Sequence, residues 1–331
     1  MLADYEPPMP SPDFALIVRL RNWVGDVTLG VPTLQRLADA GYALQLIGKR
    51  WAGELLAGHG WHVHVLPQNL TERVALMRRL KGQARSTEAG FTRRLNALCL
   101  PYSFSSALEF RLAGLRAIGH AHEGRSLLLA AAQPRLGGVH ELCVYWDLGN
   151  ALLRQQMPPP ASIGLRVAPQ HQAEAAALRR AHGIETGYVV VCPFAGGTWA
   201  RQDKTWPSFA EFVAAQLPRH GRTVVICPGP GEEALAREHY PSAKLLPEVG
   251  LGVYAGLLQN AALMVANDTG PGHIAAAVGT PLISVLGPTD AAQWGAWGPG
   301  VRVLQGDRRS ANPWPTVAAV DAAVAQLLSG R

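Results

Sequence analysis

The sequence predicts an α/β protein made of two doubly wound, Rossmann-like domains facing a central cleft, and three observations carry that prediction. First, an apolar run over Leu263 to Ala266 breaks at Asn267-Asp268-Thr269-Gly270 and resumes with an Ala-rich helical period from His273 to Val278. A second apolar run, Leu282 to Leu286, then ends at Gly287-Pro288-Thr289. Strand, polar turn, helix and strand make one βαβ unit, with both turns at the carboxyl edge of a parallel sheet. Second, strand-like runs alternate with helical periods along the whole chain, which is the signature of a parallel sheet. Third, Pro158-Pro159-Pro160 interrupts the pattern, which then restarts. The expected division is a flexible leader over 1–13, a first domain over 14–160 and a second over 161–331, its closing helix free to pack back on the first.

Taken in order, Phe14 to Leu20 reads as a buried strand that enters Arg21-Asn22-Trp23-Val24-Gly25-Asp26, followed by a helix over about 28–40 with Pro32 in its first turns. Strands at 42–47 and 61–66 flank a helix at 51–58. A helical basic stretch follows, then a strand at 95–100 that ends in Pro101-Tyr102-Ser103-Phe104-Ser105-Ser106, a helix to Leu115 and a helix over 140–156. After the prolines come a helix (171–182), a strand (188–192), the long loop Pro193 to Pro207 and a helix (208–217). A strand (223–227), the turn Pro228-Gly229-Pro230-Gly231, a helix from Glu232, the βαβ unit and an amphipathic helix over 317–328 complete the chain.

Composition narrows the function. The chain has 331 residues, enough for two full cores, with 48% hydrophobic and 16% charged residues. No apolar run approaches the roughly 20 residues of a bilayer span. The acidic, Pro-rich start lacks the basic and apolar regions of a signal peptide. Cys99, Cys143, Cys192 and Cys227 are scattered, three of them in or beside strand-like runs, as expected of reduced, buried thiols in a cytoplasmic protein. The net charge of +6 belongs wholly to residues 1–168, which hold 18 Lys+Arg against 12 Asp+Glu, whereas residues 169–331 hold 12 of each. Residues 72–94 alone carry seven basic side chains against two acidic ones. Such a run reads either as a solvated helix face or as a surface that meets something anionic. Nucleic acid is not expected, because no aromatic-interleaved basic motif accompanies it.

Three loops after strands of the second half converge on one crevice: one holds Lys204, one Glu232, one Asp268 to His273. A cation, a carboxylate and a helix start, whose first N–H groups lack internal partners, suit a nucleotide diphosphate bearing a sugar. Lys204 would neutralise phosphate, Glu232 would accept from a ribose diol, and Thr269 and Gly270 would meet the diphosphate. Asp268 as a helix cap and Lys204 as an ordinary surface lysine remain open. Across the cleft, Asp26 stands where a general base for an acceptor hydroxyl belongs, or else it caps the first helix. His273 reads as a core histidine or, less simply, as a participant. No Asp-x-Asp pair or His/Cys ligand spacing suggests a metal.

Together, Asn22-Trp23-Val24-Gly25-Asp26, Leu100 to Leu108 (LPYSFSSAL), Lys204-Thr205-Trp206-Pro207 and Asp268-Thr269-Gly270-Pro271-Gly272-His273 resemble glycosyltransferase family 9, which includes the ADP-heptose:lipopolysaccharide heptosyltransferases. The first two motifs are more similar to the heptosyltransferase II branch. The resemblance implies a GT-B fold with the acceptor in the first domain and the nucleotide sugar in the second. By motif, it implies that Asp26 is the catalytic base, that Lys204, Glu232, Asp268, Thr269, Gly270 and His273 bind the donor, and that Asn22, Trp23, Ser103, Ser105, Ser106 and the basic Arg78, Arg79 and Lys81 meet the acceptor. Two departures fall in the donor pocket: the loop before Lys204 is long and contains Trp199, and Thr205 follows Lys204 where arginine is usual.

The implied reaction is inverting, metal-independent transfer of a heptose from ADP-L-glycero-D-manno-heptose to the inner core of lipopolysaccharide, with no cofactor. The implied acceptor is anionic and lies at the cytoplasmic face of the inner membrane, which the protein would touch peripherally. The alternatives are a family 9 transferase with another nucleotide sugar, a nucleotide-sugar epimerase on the same fold, and a non-catalytic nucleotide-sugar-binding module. Oligomeric state has no sequence signal.

Overall fold

The protein is represented by a computed structural model that describes residues 14–196, 198–199 and 202–329. The leader over 1–13, and Gly197, Ala200 and Arg201 of the long loop, lie outside the described residues.

The first half contains β1 (Phe14–Arg19), α1 (Val24–Asp39), β2 (Tyr42–Gly48), α2 (Arg50–Leu56), β3 (His62–Val65), α3 (Leu70–Thr87), β4 (Ala97–Cys99), α4 (Phe104–Ala113), β5 (Ala117–His120), β6 (Ala131–Gln133) and α5 (Glu141–Leu153). The second half opens with α6 (Pro169–Ala181), β7 (Val189–Cys192), a short antiparallel pair β8 (Thr198–Trp199) and β9 (Gln202–Asp203), and α7 (Phe209–Glu211). It continues with β10 (Val224–Ile226), α8 (Glu233–His239), β11 (Lys244–Leu245), α9 (Leu251–Gln259), β12 (Leu263–Asn267), α10 (Gly270–Ala277), β13 (Leu282–Leu286), α11 (Ala291–Trp294), β14 (Val301–Gln305) and α12 (Val317–Ser329).

Each half forms a six-stranded sheet whose paired strands are all parallel, ordered β3-β2-β1-β4-β5-β6 and β11-β10-β7-β12-β13-β14. Both orders are the doubly wound one, in which the chain reverses direction across the sheet beside its first strand. The central strands are apolar on both faces, as parallel strands covered by helices must be: Leu16, Ile17 and Val18 of β1, and Leu263 to Ala266 of β12, are fully buried. One apolar cluster joins the halves, running from Leu16 and Val18 through Leu29 and Leu34 to Tyr254, Met264 and Ile274.

Several elements differ from the sequence expectation. Helix α1 begins at Val24, so Pro32 lies in its interior, and the Thr28 hydroxyl donates to the Val24 carbonyl at 2.8 Å in the turn before that proline. Strands β5, β6, β8, β9, β11 and β14 and helices α9 and α11 have no counterpart in the sequence expectation; the strands are two to five residues long, and β6, β11 and β14 are edge strands without a continuous apolar run. The expected helix at 208–217 is instead one α turn, a wide π turn over Phe212–Gln216 and a tight 3₁₀ turn over Leu217–His220, which contains Pro218. Helix α12 packs on the second half: Val320, Ala323 and Val324 are buried with Ile283, Val285 and Phe212. Among the described residues no helix is long and apolar enough to cross a membrane.

Candidate active site

In doubly wound sheets, ligands bind outside the carboxyl ends of the strands, where the chain order reverses. In the first sheet that point lies between the loops after β1 and β4, residues 20–23 and 100–103; in the second it lies between the loops after β7 and β12. The four motifs singled out in the sequence occupy these four loops and the helix starts that follow them.

Asp26 sits in the first turn of α1, where the helix dipole favours a carboxylate. It is not the cap: that position is Trp23, extended and without a capping side-chain bond. Its carboxylate accepts from the Tyr145 hydroxyl at 2.9 Å through Oδ1, and Oδ2 lies 3.4 Å from Arg21 Nε. Tyr145 is fully buried on α5, and burial, with the negative Asp26 beside it, holds the phenol well above its usual pKa and therefore as a donor. Behind them, buried Arg19 donates to the Asn22 side chain at 3.2 Å and to the Leu20 carbonyl at 2.6 Å while facing Glu109 at 3.7 Å. That pair fixes the loop from which Trp23 projects, 70% exposed.

On the second sheet, Lys204 Nζ donates to the Asp268 carbonyl at 3.1 Å and lies 3.5 Å from its carboxylate, while His273 Nε2 approaches the other carboxylate oxygen at 4.0 Å. Asp268 is not the cap of α10 either: Thr269 holds that position, its hydroxyl accepting from Gly272 N–H at 3.5 Å. Asn267 locks the loops together. Its side chain donates to the Pro193 carbonyl after β7 at 2.6 Å and accepts the Trp206 N–H at 2.9 Å, all within the buried interior. Burial pushes the Cys192 thiol up to about 12, so it serves packing rather than nucleophilic chemistry. Among the described residues no three His, Cys, Asp or Glu side chains are grouped to hold a metal ion.

The two halves meet at these helix starts. A Cβ at Gly270 would stand 2.7 Å from Val24 Cβ, and one at Gly25 would stand 2.8 Å from His273 Cδ2, so glycine at both positions lets α1 and α10 approach. His273 is buried there within electrostatic range of Asp268, His140, Asp26 and Lys204, and burial lowers its pKa, keeping the imidazole neutral at neutral pH. Asp26 from the first sheet and Lys204 and Asp268 from the second thus lie on either side of His273, where the carboxyl-edge loops of the two sheets meet. His140 Nε2 meets the Gly295 carbonyl at 2.8 Å and Trp297 Nε1 donates to the Pro160 carbonyl at 2.9 Å; these bonds tie the halves together.

Other expected site residues are placed differently. Ser106 is buried, its hydroxyl donating to the Ser103 carbonyl at 2.7 Å; Ser103 caps α4, and the exposed Ser105 donates to Ser103 at 3.2 Å. Arg78 and Lys81 do not face the crevice. Arg78 donates to Leu112 at 3.0 Å and Lys81 to Gly114 at 2.7 Å, which are carbonyls at the C-terminal end of α4. That end returns to the amino edge of the sheet, opposite the crevice, and cations there complement the helix dipole. Arg79 lines a separate surface groove of about 670 Å³ with His62, His64 and Glu72. Glu232 stays at the carboxyl edge, but its carboxylate accepts Gly229 N–H at 2.7 Å, closing the turn after β10. Sequence reasoning missed Tyr145 and Asn267. Tyr145 lies 119 residues from Asp26 with no local signal, whereas Asn267 opens the polar break Asn267-Asp268-Thr269-Gly270 that ends the apolar strand.

Residues 91–315 match the model of glycosyltransferase family 9 (heptosyltransferase). The chain belongs to that family. Lipopolysaccharide heptosyltransferase 3 of Escherichia coli K12 is 34% identical over 125 residues, 35% of this chain and 35% of that protein, so the match spans about a third of the relative's length. Among solved structures, E. coli ADP-heptose lps heptosyltransferase II superposes with a TM-score of 0.78 at 21% identity, over 96% of this chain and 99% of that one. An E. coli heptosyltransferase solved with ADP gives 0.70 at 20% identity, over 95% and 100%. These likenesses show the fold: two facing doubly wound sheets, the GT-B arrangement.

Proposed function

We propose that this family 9 chain is an inverting heptosyltransferase that moves a heptose from ADP-heptose to an anionic lipopolysaccharide-core acceptor, at the cytoplasmic face of the inner membrane. The observation that carries the reading is the meeting of α1 and α10, which sets a hydrogen-bonded carboxylate opposite a lysine and a capped helix start. Family membership and the names of the relatives support a heptose as the sugar and lipopolysaccharide as the acceptor class.

In this reading Asp26 removes the proton of an acceptor hydroxyl as that oxygen attacks the anomeric carbon. The ADP oxygen leaves from the opposite face and the anomeric configuration inverts, through an oxocarbenium-like transition state. Tyr145 and Arg21 hold the carboxylate in place. Charge growing on the departing diphosphate meets Lys204 and the Gly270 N–H at the start of α10, fixed in place before the reaction, so this chemistry is assigned to side chain and backbone rather than to a metal ion. Asp268 holds Lys204 in place and, in this reading, contacts the donor sugar.

The test is release of ADP from ADP-heptose in the presence and absence of lipid A bearing Kdo sugars. Transfer requires acceptor-dependent release. Asp26→Asn should lower turnover roughly 10²–10⁴-fold, with ADP affinity by calorimetry near that of the parent. Wild-type turnover in that variant would remove Asp26 from the mechanism. Conversion of the donor without any acceptor would favour an epimerase, and ADP binding without turnover a binding module.

A further inference from the structure

We propose that Arg21 and Arg135, brought together on the ring of Tyr102, form a subsite for an acidic group on the acceptor, a carboxylate or a phosphate, and that this group selects acceptors for Asp26. The proposal rests on the transfer reading above and moves acid recognition away from the basic helix α3, whose Arg78 and Lys81 are engaged elsewhere.

Three connections at the carboxyl edge of the first sheet, those after β1, β4 and β6, build the subsite. Arg21 follows β1, Tyr102 follows β4, Arg135 follows β6 and Glu141 opens α5. The Arg21 guanidinium lies 4.4 Å from the Tyr102 ring centroid and that of Arg135 lies 5.1 Å from it. Glu141, whose side chain is 1% exposed, takes a hydrogen bond from the Tyr102 hydroxyl and one from Arg135 Nη2 at 2.7 Å, so both of its oxygens are used within the protein. It fixes the ring and one edge of Arg135 and leaves the rest of that fork, on a side chain 34% exposed, for a ligand.

Arg21 is the more telling group. Its Nε is shut off from solvent 3.4 Å from Asp26, and among the described residues its guanidinium makes no hydrogen bond; its two terminal nitrogens are not shut off. A guanidinium held by an aromatic face and an ion pair, with its outer donors unspent, matches an oxyanion in its bidentate geometry. Such an oxyanion would stand roughly 6–8 Å from the Asp26 carboxylate, given ordinary hydrogen-bond lengths on either side of the guanidinium. One sugar-acid unit spans that distance from its acid group to a hydroxyl, so the contact also aims the nucleophile.

The experiment compares the full-length wild type, Arg21→Gln and Arg135→Gln with ADP-heptose and three acceptors: Kdo-bearing lipid A, the same lipid with its carboxylates methyl-esterified, and the same lipid with its phosphates removed. Losing a charge-assisted contact should raise the acceptor KM of the wild type about 10–100-fold for whichever modification removes the recognised acid, which tells carboxylate from phosphate. Each Gln variant should show a similar rise on the unmodified lipid and no further rise on the modified one, with ADP affinity unchanged by calorimetry. Arg135→Gln does not touch Asp26 and carries the test alone if Arg21→Gln also lowers kcat or fails to fold. Wild-type discrimination persisting in Arg135→Gln, or a wild type indifferent to both modifications, overturns the subsite. A wild type that binds ADP and transfers to none of the three lipids instead sinks the transfer reading, and the subsite with it.

Discussion

Gly270→Ala isolates the contact on which the crevice depends. The added Cβ would lie 2.7 Å from Val24 Cβ and 3.5 Å from Gly25 N, whereas carbon atoms rest at about 3.5–4.0 Å. Val24 Cβ is fixed to the backbone of α1, so no rotamer change relieves the overlap and the helix starts must part by roughly 1 Å. Overpacking of this kind costs about 1–3 kcal/mol, partly offset because alanine is the better helix former. The same displacement separates Asp26 from Lys204 and Asp268, and a misplacement of about 1 Å can lower turnover roughly 10²-fold. The expected result is therefore a drop of several degrees in Tm with a much larger loss of kcat. Gly272→Ala, two residues along the same helix, is the control: its Cβ would meet nothing closer than 3.6 Å and should be tolerated. Differential scanning calorimetry and steady-state kinetics on both variants decide the matter. Equal Tm and kcat for Gly270→Ala and the parent would refute the close approach of α1 and α10.

Three further outcomes follow from the geometry. Asn267→Ala strands the buried Trp206 N–H and the Pro193 carbonyl, at about 2–4 kcal/mol in urea unfolding, and should weaken ADP binding by loosening the loop that carries Lys204; a stable variant with full affinity would contradict the clasp. Lys204→Ala should weaken ADP-heptose binding about 10–100-fold by calorimetry, and equal affinity would remove it from the donor site. Acid should destabilise the fold. Burial and nearby Arg166 lower the His59 pKa to about 4, and burial lowers those of His140 and His273, so the unfolded chain takes up protons first, near its ordinary value of about 6.5. The contribution is complete above that pH and is lost as pH falls toward 4, by about 1–2 kcal/mol for the partly exposed His59. A urea midpoint that stays level from pH 7.5 to 5 would count against it.

Much of the fold was legible because the central strands are apolar on both faces, as in Leu263 to Ala266, where burial and sequence pattern coincide. The edge strands were not: Lys244–Leu245 and Ala131–Gln133 are held by backbone pairing to a neighbour, which leaves little imprint on side-chain choice. The loops carrying Asp26, Lys204 and Thr269 were legible for a related reason, since polar residues that end an apolar strand lie at the carboxyl edge. The basic run over 72–94 is less available than its count suggests. Charge counting treats every cation as available, yet Arg73 pairs with Glu109 at 2.9 Å, Arg94 with Glu88 at 2.8 Å, and Arg78 and Lys81 close the end of α4. Arg21, a single arginine beside a motif, carried no such weight in a count, although it lies 3.4 Å from Asp26.

The two sheets share one strand order, yet the helices that touch across the crevice are not counterparts. Helix α1 follows the first strand of its sheet, and α10 follows the strand on the other side of the reversal. Each station is thus assembled by one sheet alone, and halves exchanged between relatives near Pro158–Pro160 should each bring an intact station to the hybrid. What the hybrid cannot inherit from either parent separately is the fit between them. Recombination should fail where either donor places a larger residue at the position equivalent to 270, against Val24, or pairs a side chain at 25 with a ring at 273, which makes those sites a simple compatibility filter for exchanged halves.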